Sequence, residues 1–426
     1  YSPYLITPTD QLKRQTGFLI PVTGNSSDKG RMFGDAFYLT LGRSADVLTQ
    51  AEYFSLRGWG GAVEFNARPN EKTRIFAREF FVSDRLGNGG QLTRILADTT
   101  SEKGYHAAAD IFATSSQNFL QTWSNSFSTL TRPDEVSSAF LTKDSPDFSL
   151  NVFGERRLTL YPVKPVTTRT LPSFDLFGLN RQIKEWPFFW SFDTAVEGLS
   201  RIDQYITTSP LVQRFDFYPR LTIPLRKFSL FNFTSSFGFR ETFYSERMDP
   251  ESSTGVSPQH LTRTSFDFQG RLDGPSFEKI FNVGGKQVKH VIEPEVTYRF
   301  VNGVSDFAEI IRFDERDVLA DTSEVEYDLT NRFFSKRKMS DGSMTTSEVL
   351  SIRIGQRYFF EPTFGGALVP GQRNVFSPLD GLTAFAFENE VRNYSPVILR
   401  VRYTPVERYA VDFRMDYDPV VRMFRA

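Results

Sequence analysis

Residues 409 to 418 read YAVDFRMDYD. Tyr409, Val411, Phe413, Met415 and Tyr417 fall on one side of an extended chain. Ala410, Asp412, Arg414, Asp416 and Asp418 fall on the other. A period of two is the period of a strand, and the contrast puts its faces in unlike surroundings. The pattern recurs along the chain. In 399–403 Leu399, Val401 and Tyr403 oppose Arg400 and Arg402. In 292–300 Ile292, Pro294, Val296, Tyr298 and Phe300 oppose Glu293, Glu295, Thr297 and Arg299. In 231–239 four phenylalanines share a face with Ser235, and in 63–68 Val63, Phe65 and Ala67 oppose Glu64, Asn66 and Arg68.

Many of these segments approach the roughly 9–11 residues that a tilted strand needs to cross a bilayer. Aromatic residues make up 15% of the chain, with 44 Phe and 16 Tyr, yet 24% of residues are charged. Rings alternating with charges, rather than gathered into apolar runs, are the mark of an outer-membrane β-barrel with an apolar exterior and a polar lumen. Helical periodicity is scarce, so helices are expected to be absent, and only a closed barrel then satisfies backbone groups in lipid. A soluble sandwich, solenoid or propeller also alternates, but the strand lengths and outward rings oppose it, and no fixed repeat supports the last two. The fold class is therefore all-β, a large antiparallel transmembrane barrel with about 18–20 strands in this chain. Connections look unequal, short at 407–409 and long at 132–147 and 245–262. The residues expected on the polar lumen face include Glu64, Arg68, Glu293, Glu295, Arg299, Arg400, Arg402, Asp412 and Arg414.

Catalytic signatures are missing. There is no cysteine, so neither disulfides nor thiolate sites can form within the chain. His106, His260 and His290 lack metal-ligand spacing. No nucleophile elbow, P-loop or dinucleotide fingerprint occurs. The glycine stretches at 87–90 and 283–286 read as turns. Asp314, Glu315, Asp317 and Asp321 read as a solvated loop or lumen face. No enzyme, cofactor or metal is expected, and a porin-like channel for small polar solutes fits the pattern as well as a lipid inserter does. Bulk charge, 50 basic against 51 acidic residues, points to no nucleic acid.

One stretch decides between them. Residues 13–24 read KRQTGFLIPVTG, an apolar strand interrupted by a proline that removes a backbone donor. Lys13-Arg14, Thr16 to Pro21, Gly30, Phe37-Tyr38, Asp46 to Thr49, Tyr53 through Arg57-Gly58, and Glu64-Phe65 follow in order. In order and spacing they resemble the start of the barrel in the LPS-assembly protein family, the outer-membrane lipopolysaccharide translocon called LptD. HVIEPEVTYRFV (290–301) and DVLADTSEVEYDLTNRF (317–333) resemble later strands of that family. The chain departs from it at AFYLT (36–40), where the family often has Pro-Tyr-Tyr-Trp, and in lacking cysteine for an interdomain disulfide.

The resemblance implies that residues 1–426 are barrel, part of one with about 26 strands. The N-terminal jellyroll is expected to be absent, and the C-terminal strands to be truncated. It implies transport without catalysis: lipopolysaccharide arrives through the jellyroll from a periplasmic bridge of the LptA kind. It leaves sideways into the outer leaflet between the first and last strands, while an LptE-like lipoprotein plugs the lumen. Pro8, Gly17, Phe18 and Pro21 would then belong to the lateral gate. Lys13 and Arg14 would contact lipid phosphates or mark the headgroup boundary.

Overall fold

A computed structural model describes residues 14–124, 132, 134–160, 164–228, 230–304, 307–338, 344–368, 391–406 and 408–425. They form 24 strands: β1 Gly17–Phe18, β2 Val22–Ser26, β3 Gly30–Leu41, β4 Ala45–Phe54, β5 Gly58–Asn70, β6 Thr73–Asp84, β7 Gly90–Thr100, β8 Tyr105–Thr114, β9 Asp134–Asp144, β10 Phe148–Thr159, β11 Val166–Gln182, β12 Phe189–Ile202, β13 Val212–Phe228, β14 Phe231–Tyr244, β15 Arg247–Met248, β16 Val256–Ser257, β17 Leu261–Asp273, β18 Phe277–Val283, β19 Lys286–Asn302, β20 Thr322–Lys338, β21 Met344–Phe359, β22 Val397–Val406, β23 Tyr409–Asp418 and β24 Met423–Arg425. Twenty-two belong to one sheet, and β15 with β16 form a separate hairpin. The strand count exceeds the sequence expectation because two- and three-residue strands such as β1, β15 and β24 are too short to show a period.

The chain divides into two compact units. The first comprises Tyr1–Leu176, Ala195–Gln213 and Ser253–Gly255; the second comprises Phe177–Thr194, Arg214–Ser252 and Val256–Ala426. In the first, β2 to β10 pair in sequence, each antiparallel to the next. Short turns close one end, among them 42–44, 71–72, 101–104 and 145–147. The expected long connection at 132–147 is instead largely β9, which pairs with both β8 and β10. Its SSAFLT core alternates too weakly to read as a strand in isolation.

Helices are not absent either. Gln117–Trp123 form one α-helix, α1, between β8 and β9, and Phe307–Glu309 form a single 3-10 turn. Ser116 caps α1 by accepting a hydrogen bond from the Phe119 amide at 3.1 Å. Phe119, Leu120 and Trp123 are the buried residues of the helix, and Phe119 and Trp123 pack with Phe54 and Val82. A helix of 7 residues is held by that packing rather than by propensity, so its sequence carries little helical signal.

In the second unit the ladder runs β13–β14–β17–β19–β20–β21–β22–β23–β24. The first half of β19 pairs with β18 and the second half with β17. Long segments lie at one end, 245–260 between β14 and β17 and 303–321 between β19 and β20, while 284–285 closes the other. Gly284 and Gly285 have φ of 57° and 78°, which explains their place in that two-residue turn.

Candidate functional site

The cross-strand register sorts the side chains of the paired strands in the second unit onto two faces. Arg299 lies opposite Glu324, Glu326 opposite Arg357, and Asp328 opposite Gly355. Arg353, Arg400 and Arg414 follow in one row, as do Ser351, Arg402 and Asp412. The reverse face carries Phe237 and Phe266, Val296 and Leu329, Ile354 and Tyr403, and Phe413. Each is between 41% and 58% exposed, an outward apolar surface that water alone would not favour.

The polar face is an ordered network. Arg353 forks onto Asp328 through two bonds of 2.9 and 2.8 Å. Arg357 Nε donates to Glu326 at 2.6 Å, and Arg332 bridges Glu293 and Glu348 at 2.8 and 2.9 Å. Arg271 pairs with Glu295 at 2.9 Å, and Arg240 with the fully buried Asp216 at 2.9 Å. Two cavities open along this face. One of about 480 Å³ is lined by Glu326, Asp328, Arg353, Arg357, Arg400 and Arg414. The other, about 320 Å³, is lined by Tyr218, Arg220, Asp267, Gln269 and Arg299 among others. In the first, four cations meet two carboxylates, and Arg400 stands directly between Arg353 and Arg414. Like charges in adjacent register repel, which favours anionic or hydroxyl-rich groups as occupants.

A folded loop caps this face. Segment 303–321 buries Val304, Phe307, Ile310, Ile311 and Ala320. Phe307 and Ala320 join Phe359, Phe364, Ala367 and Leu368 in a core at the end of β21. The polar anchor is Asp317, wholly enclosed, which accepts hydrogen bonds from Arg214 Nη1 (2.8 Å), the Tyr244 hydroxyl (2.6 Å) and the Phe313 amide (2.7 Å). Arg214 also grips Asp314 through two contacts, one of 3.0 Å. Burial pushes the Asp314 carboxyl up, but the hydrogen bonds and charge of Arg214 outweigh it and hold it below the ordinary aspartate range. Asp321 accepts from the Val304 amide at 2.8 Å, closing the base of the loop. The expectation of a solvated loop or lumen face therefore fails at Asp317, because its partners Arg214 and Tyr244 come from β13 and β14, 103 and 73 residues away in sequence. Only the fold supplies them.

The site residues read from the sequence fall as follows. Pro8 and Lys13 lie outside the described residues. Arg14 forms an ion pair with Asp46 at 2.8 Å. Gly17 and Phe18 pair with Tyr38 and Phe37, and the Phe18 and Phe37 rings meet edge-on at 5.0 Å. The ladder then resumes only at Val22 opposite Gly34, so four steps along the first strand span three along β3. Pro21 lies in that one-residue bulge, and the Leu19 amide, which donates to Ala36 at 2.8 Å, makes the bond inside it. Glu64 lies opposite Arg78 in the first unit, and the Arg68 amide donates to Ser44. Glu293, Glu295, Arg299, Arg400, Arg402, Asp412 and Arg414 share the polar face of the second unit. Arg214, Tyr244, Arg353 and Arg357 escaped the sequence reading, although the alternation in 351–358 placed the last two on the charged side.

A family model described as LPS transport system D (LptD) matches residues 94–426. The LPS-assembly protein LptD of Actinobacillus pleuropneumoniae serotype 5b is 22% identical over 396 residues, covering 85% of this chain and 49% of that protein. Its counterpart in Legionella pneumophila strain Lens is 22% identical over 418 residues, covering 85% and 47%. That of Nitrosococcus oceani is 24% identical over 386 residues, covering 84% and 49%. The chain thus spans about half the length of the curated relatives it matches. Among solved structures, OccK10 (OpdN) of Pseudomonas aeruginosa shares 12% identity at a TM-score of 0.29, over 81% of this chain and 94% of that one. With the family model matching residues 94–426, the chain belongs to the LPS transport system D family.

Proposed function

We propose that this chain is the outer-membrane barrel portion of a lipopolysaccharide transporter, and that it carries lipid without catalysing a reaction. The observation that carries the reading is the two-faced sheet, with a charged network on one face and exposed aliphatic and aromatic side chains on the other. Closed on itself in a membrane, such a sheet offers a polar path for saccharide and an apolar one for acyl chains. A periplasmic bridge of the LptA kind would deliver the lipid, and an LptE-like lipoprotein would fill the lumen.

The exit would be the seam at the first strand. What supports this is the bulge at Pro21, the two-residue length of β1 and the exposure of Phe18 and Ile20, 76% and 79%. In lipid a missing ladder bond has no water to replace it, so a strand short of bonds parts most easily. Arg14 lies beside the seam, where its guanidinium is half exposed despite the pair with Asp46. Replacing Pro8 and Pro21 together by residues that donate backbone bonds should slow delivery of lipopolysaccharide to the cell surface. Unchanged surface lipopolysaccharide in that double variant would remove the gate from the proposal. Steady ion conductance of the chain in a planar bilayer would favour a porin instead.

A further inference from the structure

The face of the first unit that carries Glu64, Arg78 and Arg94 is polar along most of its length, but beneath α1 it changes character. Phe54, Phe80, Leu92, Phe119, Leu120 and Trp123 line a cavity of about 770 Å³ there. Ligand sites run from about 300 to 1,000 Å³, and this open cleft falls within that range. The helix therefore does more than seal a core.

The cavity is ringed by cations. Lys29 Nζ sits 4.9 Å over the Trp123 ring, and the Arg132 guanidinium 5.3 Å over Phe112. Arg78 lies directly opposite Arg94, and both line the cavity. Arg94 is held by Asp110, but among the described residues Lys29, Arg78 and Arg132 meet no carboxylate at ion-pair distance. Glu52 is the one acid in the lining. A small hydrated anion would lose its water against these rings without full repayment, and a plain hydrocarbon would leave the cations unsatisfied.

We infer that the cavity beneath α1 binds an amphiphile with an anionic head, an acyl or alkyl chain among the rings and a phosphate or carboxylate between Arg78 and Arg132. The site lies on the opposite face from the exposed Trp59 and Phe81, so it is separate from the lipid-facing surface. It stands whether or not the chain transports lipopolysaccharide.

Trp123 provides the readout, because its indole is fixed by donating to the Asn88 carbonyl at 3.0 Å. Trp59, Trp186 and Trp190 are replaced by Phe, and the full chain is placed in nanodiscs. Bromoundecyl phosphate should quench Trp123 saturably, while bromoundecanol should not. Arg78→Gln with Arg132→Gln should weaken the phosphate probe about tenfold or more, the worth of lost charge-assisted bonds. Leu92→Phe, read in the same way, narrows the cavity and should weaken binding without touching a charge. Nanodiscs of chain-brominated phosphatidylglycerol form a second arm: quenching there assigns the site to bilayer lipid, and its absence to a free alkyl anion. Equal quenching by the alcohol, an unchanged affinity in the double glutamine variant, or no saturable quenching by the phosphate would each overturn the inference.

Discussion

Arg214 and Asp317 meet at 2.8 Å with both side chains wholly enclosed. One comes from the start of β13 and the other from the loop before β20, so the pair ties a long connection to the polar face it covers. Removing one member of a buried pair strands the other charge, at about 3–5 kcal/mol. Arg214→Met should therefore release segment 303–321 while the strands persist. Hydrogen exchange is the measurement: the Ile310 and Ile311 amides should lose protection and those of β20 should keep it. Retained protection at Ile310 would show that apolar packing alone holds the loop.

Acid should loosen the same loop. Arg214 holds the Asp314 carboxyl below its ordinary range, against the opposing effect of burial. A carboxyl lowered on folding contributes stability above its unfolded pKa, near ~4, and loses that contribution as pH falls through the folded value. The part of this response that Asp314 carries should appear in the Ile310 methyl signals below about pH 4. In Asp314→Asn that acid dependence should shrink.

The two faces should differ sharply in tolerance. Leu329 points to the apolar side of β20 and is 41% exposed, whereas Glu326 lies on the other side. An arginine facing lipid near the midplane costs about 2–4 kcal/mol. Leu329→Arg should lower the fraction that folds into lipid vesicles, read by heat-modifiable gel mobility. Glu326→Gln should fold as the parent does.

Arg400 stands in register between two other arginines. Relieving such a row is worth less than about 1 kcal/mol, and salt screens it. Arg400→Gln should raise the thermal midpoint slightly at low ionic strength and leave it unchanged at high. A drop at low salt would mean that Arg400 has a carboxylate partner.

Much of this was legible from residue order. In 409–418 each side chain announces its face, and β23 places Phe413 and Arg414 on the sides that the alternation assigns them. The break at Pro21 was visible as well, since proline cannot donate to a ladder. A sidedness that repeats every two residues is written locally, because neighbouring side chains on a strand must point to opposite faces.

What the tertiary structure decided is everything that depends on distant partners. Asp317 looks like any loop acid until Arg214 and Tyr244 arrive from strands far away in sequence and close over it. Helix α1 forms because Phe119 and Trp123 find Phe54 and Val82 beneath them, not because seven residues prefer to coil. The row Arg353, Arg400, Arg414 exists only through the register of three strands. Local order fixes which way a side chain faces; the pairing of strands fixes what it faces.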